Sequence, residues 1–391
     1  MASLLLVMGV AFASGLPAAP PAKELPPLQS LPAVEELPDP FAFTDGTRVR
    51  SRDDWARRRA ELKEIIQQYA YGHLPPAGKV TAAEQVSNRN EEIHATVKEV
   101  LLRVGPGGKL PLRLFLTLPD GKGPFPTIVD GDACWGRIAP EIAAEVAKRG
   151  YALAEFDRTE IVPDKNERTT GLHELYPNAD FGALAAWAWG YHRVVDYLLT
   201  LPEVDHKRIV VTGHSRGGKT ALLAGAMDER IALTAPNNSG CMGAGCTRFP
   251  HGGETLDAIT KTFPYWFSPV LPQFVGHESQ LPFDQHTLKA LVAPRALLST
   301  EARGDTWANP PGTQLTYQAA KVVYSFLGAA DKIGIAYRDG GHQHGLADWK
   351  VLLDFADWQL RGQKPARRFD ELPYPDESAT AIKWRAPGQT R

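Results

Sequence analysis

The sequence predicts an α/β fold in which helices cover both faces of a mostly parallel central sheet. From residue 127 onward, short apolar runs alternate with longer segments whose apolar residues recur at helical spacing. Strands that read as continuous apolar runs are buried on both faces, as in parallel sheets. The chain has 391 residues, of which 43% are hydrophobic and 23% charged. That composition suits a globular protein with a large core.

The first residues are typical of an export signal. Residues 4–13 form an apolar run of the length of a secretory core segment, and the sequence AFA supplies small residues for cleavage. We therefore expect residues 1–17 to be a signal peptide and the protein to be secreted or periplasmic. A buried N-terminal segment is the alternative, because the first basic residue is Lys23. Residues 18–40 are rich in proline, which prevents regular helix.

The remaining elements can be assigned in chain order to a single catalytic domain, residues 41–391. A helix is predicted at 52–71, followed by two alternating strands on either side of the turn GPGG. Further strands are predicted at 127–132, 151–157, 208–213, 231–237, 295–300 and 333–340. Further helices are predicted at 140–150, 181–201, 216–228, 313–328 and 347–360. Residues 241–293 are irregular and too long for a simple connection, which indicates a functional insertion.

The sequence GHSRG at residues 213–217 matches the pattern G-x-S-x-G, with a predicted strand before it and a predicted helix after it. In that setting the serine lies in a strained turn that has no space for side chains two residues away. Ser215 would then stand above the sheet at a helix N-terminus, where the N–H of Arg216 can stabilise an oxyanion. The alternative is a glycine-rich turn between strand and helix in which the serine has no catalytic role.

A serine nucleophile needs a base, and the base needs an acid that orients it. The order Ser, acid, His along the chain points to the loop after the last strand for the base. That loop offers both His342 and His344, and the residues alone do not separate them. The loop after strand 295–300 offers Asp305 as the acid, with Glu301 as a competitor nearer the strand end.

These residues together resemble the glucuronoyl esterases, carbohydrate esterase family fifteen, most closely the bacterial branch. The resemblance runs from about residue 38 to about residue 360. It includes the stretches PNNSG, FPYWFSP, LPFDQHTLKALVAPR, DTWANP and GGHQHG. It implies an α/β-hydrolase that cleaves the ester between 4-O-methyl-glucuronic acid of glucuronoxylan and a lignin alcohol.

The resemblance also implies roles for individual residues. Ser215 is implied as the nucleophile, and the second histidine of the loop, His344, as the base. Arg216 is implied as an oxyanion-hole residue through its backbone and its side chain. Lys219 is implied to hydrogen-bond sugar hydroxyls, and Trp307 to contact the uronate ring.

The chain departs from the fungal members at three positions. Fungal members carry a disulfide across the site, and the matching positions here are His214 and Gly345. Fungal members take their acid from the position that is Asn238 here, and an amide cannot supply the negative charge that stabilises imidazolium. The acid must come from elsewhere, and Asp305 is where some bacterial relatives place it.

Cofactors and macromolecular partners are not expected. No His or Cys cluster has ligand spacing, so no metal is predicted. A formal net charge of −2 gives no global field that would favour nucleic acid or an anionic membrane. We expect a monomer whose partner is its glucuronoxylan or lignin–carbohydrate ester substrate. Cys241 and Cys246 could pair across a short loop in an exported protein, which would leave Cys134 single.

Two other functions fit parts of the sequence. An acetyl xylan esterase, or another carbohydrate ester hydrolase, would use the same catalytic set with a smaller acyl pocket. An inactive carbohydrate-binding relative would keep the fold and lose the chemistry, and the intact set of Ser, His and Asp argues against it.

Overall fold

The alternation of strands and helices builds a nine-stranded sheet in the computed structural model, which describes residues 25–389. The predicted signal peptide, residues 1–17, lies outside the described residues. The strands are β1 (Thr81–Asn90), β2 (Ala95–Val104), β3 (Leu110–Pro119), β4 (Phe125–Asp130), β5 (Ala152–Phe156), β6 (Val204–His214), β7 (Ile231–Asn237), β8 (Ala296–Ala302) and β9 (Ile333–Arg338). The longer helices are α1 (Arg52–Ile66), α2 (Pro140–Lys148), α4 (Ala183–Leu198), α5 (Arg216–Met227), α7 (Gln285–Val292), α8 (Pro310–Phe326) and α9 (Leu346–Arg361). Three short helices complete the set: α3 (Leu172–Leu175), α6 (Leu256–Thr262) and α10 (Ser378–Ala381).

The sheet has the order β1-β2-β3-β5-β4-β6-β7-β8-β9. Strands β4 to β9 run parallel to one another, whereas β1, β2 and β3 pair antiparallel and β3 is also antiparallel to its neighbour β5. The predicted α/β fold with a mostly parallel sheet is therefore confirmed. Strand β1 was not predicted, because nine of its ten residues are exposed and its sequence carries no alternating signal.

Consecutive residues of the central strands enter different cores on the two faces of the sheet. Ile128 and Val210 pack in the core formed with α2 and α9, whereas their successors Val129 and Val211 pack in the core formed with α4, α5 and α8. A strand buried on both faces has no polar side, which explains the continuous apolar runs of the sequence. This layering leaves the carboxyl ends of the parallel strands open for function.

The irregular segment after β7 folds against the core without forming a separate layer. It contains α6, α7 and three 3-10 turns, and Trp266, Phe267 and Phe274 are buried in the main core. Cys241 and Cys246 are buried free thiols, so they do not form the disulfide that their spacing would allow. None of the helices within residues 25–389 combines the length and apolar character that a membrane span needs.

Candidate active site

Ser215 stands in a sharp turn between β6 and α5. Its φ of 56° and ψ of −122° are strained for a residue with a side chain. A methyl group at Gly217 would lie 2.0 Å from Oδ1 of Asp132, and one at Gly213 would lie 2.5 Å from the carbonyl oxygen of Gly217. Both positions therefore require glycine, as the crowding argument from the sequence predicted.

Two backbone hydrogen bonds fix this turn. The N–H of Ser215 donates to the carbonyl of Asn237 at 3.0 Å, and the N–H of His214 donates to Oδ2 of Asp132 at 2.7 Å. Arg216 is the first residue of α5, so its N–H has no partner inside the helix. An anion bound beside Ser215 would meet this N–H and the positive end of the helix dipole.

The loop after β9 brings His342 to Asp305. Nδ1 of His342 lies 2.5 Å from Oδ2 of Asp305, and the Asp305 side chain is buried. A carboxylate only accepts hydrogen bonds, so Nδ1 carries the proton and Nε2 keeps its lone pair. Nε2 has no hydrogen-bond partner among residues 25–389, and His342 borders the same cavity as Ser215.

The structure does not bring His344, the predicted base, to Asp305. The His344 ring lies between the rings of His214 and Trp349, with centroids 5.7 Å and 5.3 Å away. Burial, followed by the neighbouring His214 and Arg338, lowers the pKa of His344 to about 3. This geometry does not support His344 as the base, because the loop places the first histidine at Asp305 and the cavity and packs the second between two rings.

Asn238 hydrogen-bonds to Asp305, the predicted acid. Its Nδ2 donates to Oδ2 of Asp305 at 2.7 Å, and its Oδ1 accepts from the N–H of Ala302 at 3.1 Å. Burial raises the pKa of Asp305, but the hydrogen bond and charge of His342 and the Asn238 amide lower it, so the net pKa lies below its ordinary value. The competitor Glu301 is buried and accepts a hydrogen bond from Thr313, and within residues 25–389 it makes no hydrogen bond to either histidine.

Ser215 and His342 open onto a cavity of about 180 Å³. Trp307 borders it from the turn Thr306–Ala308, directly after Asp305, and is 55% exposed. An exposed tryptophan at a cavity mouth is available to a ligand rather than buried in the core. Arg216 also borders this cavity.

Lys219 lines the cavity but has no free donor. Its Nζ donates to the carbonyls of Ser239 at 2.8 Å and Cys241 at 2.6 Å, and to Oε2 of Glu254 at 2.7 Å. These three acceptors use all three N–H groups of the ammonium. The prediction that Lys219 hydrogen-bonds sugar hydroxyls directly is not supported by this geometry. The Glu254 carboxylate, which Lys219 holds against the cavity wall, is the group that remains available there.

Sequence reasoning missed three residues beside the cavity: Glu254, Asp164 and Trp135. Glu254 and Asp164 lie in irregular segments where no periodicity marks them. Trp135 follows β4 and is 52% exposed, and its ring centroid lies 6.2 Å from that of His214. The buried Arg158 guanidinium lies 4.4 Å from the same ring and supports it. The sequence around Trp135 contains no motif or periodicity that distinguishes an exposed tryptophan at a site from one buried in the core.

Three comparisons bear on this site. The family profile described as "Glucuronyl esterase, fungi" matches residues 106–328. A carbohydrate esterase family 15 glucuronoyl esterase of known structure from Caldicellulosiruptor kristjansonii is 35% identical, with a TM-score of 0.79 over 92% of this chain and 99% of that one. A 4-O-methyl-glucuronoyl methylesterase of Phanerochaete chrysosporium is 37% identical over 78% of this chain and 65% of its own length, just under two thirds.

A third relative carries a ligand. The glucuronoyl esterase of Sporotrichum thermophile, as a serine-to-alanine mutant, has been solved in complex with methyl 4-O-methyl-β-D-glucopyranuronate. It is 28% identical to this chain, with a TM-score of 0.75 over 90% of this chain and 95% of that one. The matched profile, the identity to whole enzymes and the serine turn lead to one conclusion: this chain belongs to the glucuronoyl esterases, carbohydrate esterase family 15, and is a carboxylic ester hydrolase with an α/β-hydrolase fold.

Proposed function

We propose that this enzyme cleaves the ester between (4-O-methyl)glucuronic acid of glucuronoxylan and a lignin alcohol through Ser215, His342 and Asp305. The observation that carries the proposal is the hydrogen bond between His342 and Asp305 at the cavity that Ser215 borders. The carboxylate holds the imidazole in the tautomer whose Nε2 accepts a proton, which is what a serine nucleophile needs.

The reaction proceeds in two steps. Nε2 of His342 takes the hydroxyl proton of Ser215 as Oγ bonds to the ester carbonyl carbon, and the same proton then passes to the alcohol oxygen as the ester bond breaks. Water next attacks the acyl-enzyme, gives a proton to His342, and releases the uronic acid as the proton returns to Ser215. Asp305 stays ionised throughout and stabilises the imidazolium.

The oxyanion is stabilised by the N–H and the guanidinium of Arg216. In this fold a second backbone donor usually comes from the loop after the strand beside the nucleophile strand, here β4. Four N–H groups of that loop already donate within the protein: those of Gly131, Asp132, Trp135 and Gly136. A cationic side chain next to the nucleophile supplies the charge that such a donor would otherwise provide.

The cavity supports a uronate as the acyl group. Its volume of about 180 Å³ exceeds what an acetyl group needs, and its wall carries both a carboxylate and an aromatic ring. The Glu254 carboxylate, held by Lys219, can accept hydrogen bonds from sugar hydroxyls, and Trp307 can pack on the ring. The relative in complex with a methyl glucuronate ester binds a ligand of this class.

The alcohol is proposed to be aromatic because of Trp135. This exposed ring lies beside His214 and Arg216, the two neighbours of Ser215, and is not part of the cavity wall. An aryl alcohol that leaves the ester carbonyl carbon on the Trp135 side of Ser215 would stack on the Trp135 ring. This arrangement favours lignin-type alcohols over methanol.

Hydrolysis of benzyl glucuronate and of an acetylated xylo-oligosaccharide tests this function. We expect turnover of the glucuronate ester by the wild type and its loss in Ser215→Ala. A preference for the acetyl ester would replace the proposed substrate with that of an acetyl xylan esterase. Binding of glucuronoxylan without turnover of either ester would favour an inactive binding protein.

We also propose that the enzyme acts as an exported monomer. The apolar run at residues 4–13 and the small residues after it support export. The N-terminal sequence of the exported protein tests cleavage near residue 17, and light scattering of the purified enzyme tests the monomer.

A further inference from the structure

The guanidinium of Arg216 is held on one edge by a carboxylate. Nη1 donates to Oδ2 of Asp164 at 2.6 Å, and the two groups form an ion pair. An arginine side chain has several rotatable bonds, so it points to one place only where such contacts restrict it. Asp164 follows β5 in the chain, so this contact crosses from one loop to the start of α5.

Asp164 is itself fixed by two donors from the insertion. Its Oδ1 accepts hydrogen bonds from the hydroxyl of Tyr265 at 3.0 Å and from Nε1 of Trp266 at 2.9 Å. Burial, followed by the charge of Asp164, raises the pKa of Tyr265 to about 12, so the hydroxyl remains a donor at working pH. Both oxygens of Asp164 are therefore committed, one to Arg216 and one to the insertion.

An aromatic wall restrains the face of the same guanidinium. Its central carbon lies 4.7 Å from the ring centroid of Trp266 and 5.0 Å from that of Phe263. These two rings are stacked 3.8 Å apart and both border the cavity. Nε of Arg216 is buried without a partner, and Nη2 has no acceptor within residues 25–389. The Arg216 guanidinium, beside Ser215, therefore has N–H groups at Nε and Nη2 that do not donate to any group in the described residues.

We infer that Asp164 is a positioning residue for ester hydrolysis: it holds the Arg216 guanidinium, through Nη1, where the oxyanion of the tetrahedral intermediate forms. The inference rests on the proposed function, in which Arg216 stabilises that oxyanion. The inference also assigns a function to the insertion, because its residues Tyr265 and Trp266 hydrogen-bond to Asp164 and hold it in place. A donor fixed before the reaction stabilises the transition state more than one that must be ordered during it.

The test is a set of kinetic constants on benzyl glucuronate for Asp164→Ala, Arg216→Met and the double variant. If Asp164 acts through Arg216, Asp164→Ala should lower kcat by about 10- to 100-fold and change KM little. That loss is no larger than the one caused by removing an oxyanion-hole donor altogether. In the Arg216→Met background the same substitution should lower kcat no further. Equal losses in both backgrounds, or a rise in KM alone, would overturn the inference.

Two more variants keep folding and function apart. Asp164→Asn keeps an oxygen that can accept a hydrogen bond from Arg216, so it should recover part of the kcat that Asp164→Ala loses. The two variants should have similar melting temperatures. If Asp164→Asn is as slow as Asp164→Ala and both melt far below the wild type, the role is structural and the inference fails. Ser215→Ala runs beside them: if it stays active, the proposed catalytic site is wrong, whereas an inactive Ser215→Ala with a normal Asp164→Ala overturns only the positioning role.

Discussion

Nδ1 of His342 lies 2.5 Å from Oδ2 of Asp305, whereas His344, two residues further along the loop, packs on Trp349. Residues of the same type and nearly the same position thus have different surroundings. The first borders a cavity and has a carboxylate at its Nδ1, and the second packs between the rings of His214 and Trp349. Chemistry follows the surroundings, so the two histidines can be separated by experiment.

Replacing His342 should abolish most of the activity. His342→Gln removes the proton acceptor, and loss of a triad base lowers kcat by about 10⁴- to 10⁶-fold in serine hydrolases. Steady-state hydrolysis of benzyl glucuronate measures it.

The matched control is His344→Gln, two residues away. It changes the same residue type in the same loop, and we expect kcat within about threefold of the wild type, because His344 touches no group that reacts. A large loss in His344→Gln with activity retained in His342→Gln would restore the choice that the resemblance made.

The acid can be tested in the same way. Asp305→Asn should lower kcat by about 10⁴-fold, because an amide at this position stabilises the wrong imidazole tautomer and carries no charge. The control is Glu301→Gln. Burial raises the pKa of Glu301, so glutamine resembles its neutral form, and kcat should change little. The opposite ranking of these two variants would assign the acid to Glu301.

The fold and the serine turn were predictable because both leave a recognisable pattern in the sequence. Glycines stand on either side of Ser215 because the turn crowds them, Gly213 against Gly217 and Gly217 against Asp132, and the apolar runs reflect burial on both faces of the sheet. The approach of Asp305 to the histidine loop was predictable from topology: parallel strands end at one edge of the sheet, so the loop after β8 must approach the loop after β9.

The remaining features of the site depend on contacts that sequence spacing does not encode. The choice between His342 and His344 depends on the path of the loop that joins β9 to α9, residues 339–345. The three acceptors of Lys219 lie 20, 22 and 35 residues downstream. Their positions follow from the packing of the insertion, so a free lysine and a fully bonded one look alike in the sequence.

The ion pair between Lys219 and Glu254 predicts a stability effect. Both side chains are at least 94% buried, and Lys219→Met would leave the carboxylate without its cation. Breaking a buried pair in this way costs about 3–5 kcal/mol of unfolding free energy. Urea denaturation should show that loss, and the double variant Lys219→Met with Glu254→Gln should recover much of it. Equal stability of the wild type and Lys219→Met would mean that the pair contributes nothing.

His344 predicts how stability depends on pH. Its pKa is about 3 in the folded protein, mainly through burial, against about 6.5 in an unfolded chain. Between these two pH values the unfolded state binds a proton at His344 and the folded state does not, so protonation favours unfolding. The stabilising contribution is complete above about pH 6.5 and declines as the pH falls toward 3.

The variant His344→Gln should therefore lose less stability than the wild type when the pH falls from about 6.5 to 4. Urea midpoints at several pH values measure the difference in slope. The buried His286, with a pKa of about 4, contributes to both proteins and cancels in the comparison. Parallel curves for the two proteins would show that His344 titrates normally.

The two exposed tryptophans should contact different parts of the substrate, Trp135 the alcohol and Trp307 the uronate. Trp135 lies outside the cavity next to His214, so Trp135→Ala should raise KM for the benzyl ester of glucuronic acid and leave KM for the methyl ester nearly unchanged. Trp307 borders the cavity, so Trp307→Ala should raise KM for both esters alike. An aromatic contact contributes about 0.5–1.5 kcal/mol beyond its buried area, which corresponds to a change of about 2- to 12-fold. If Trp135→Ala affects both esters equally, the ring supports the site as a whole, and the aromatic alcohol loses its structural support.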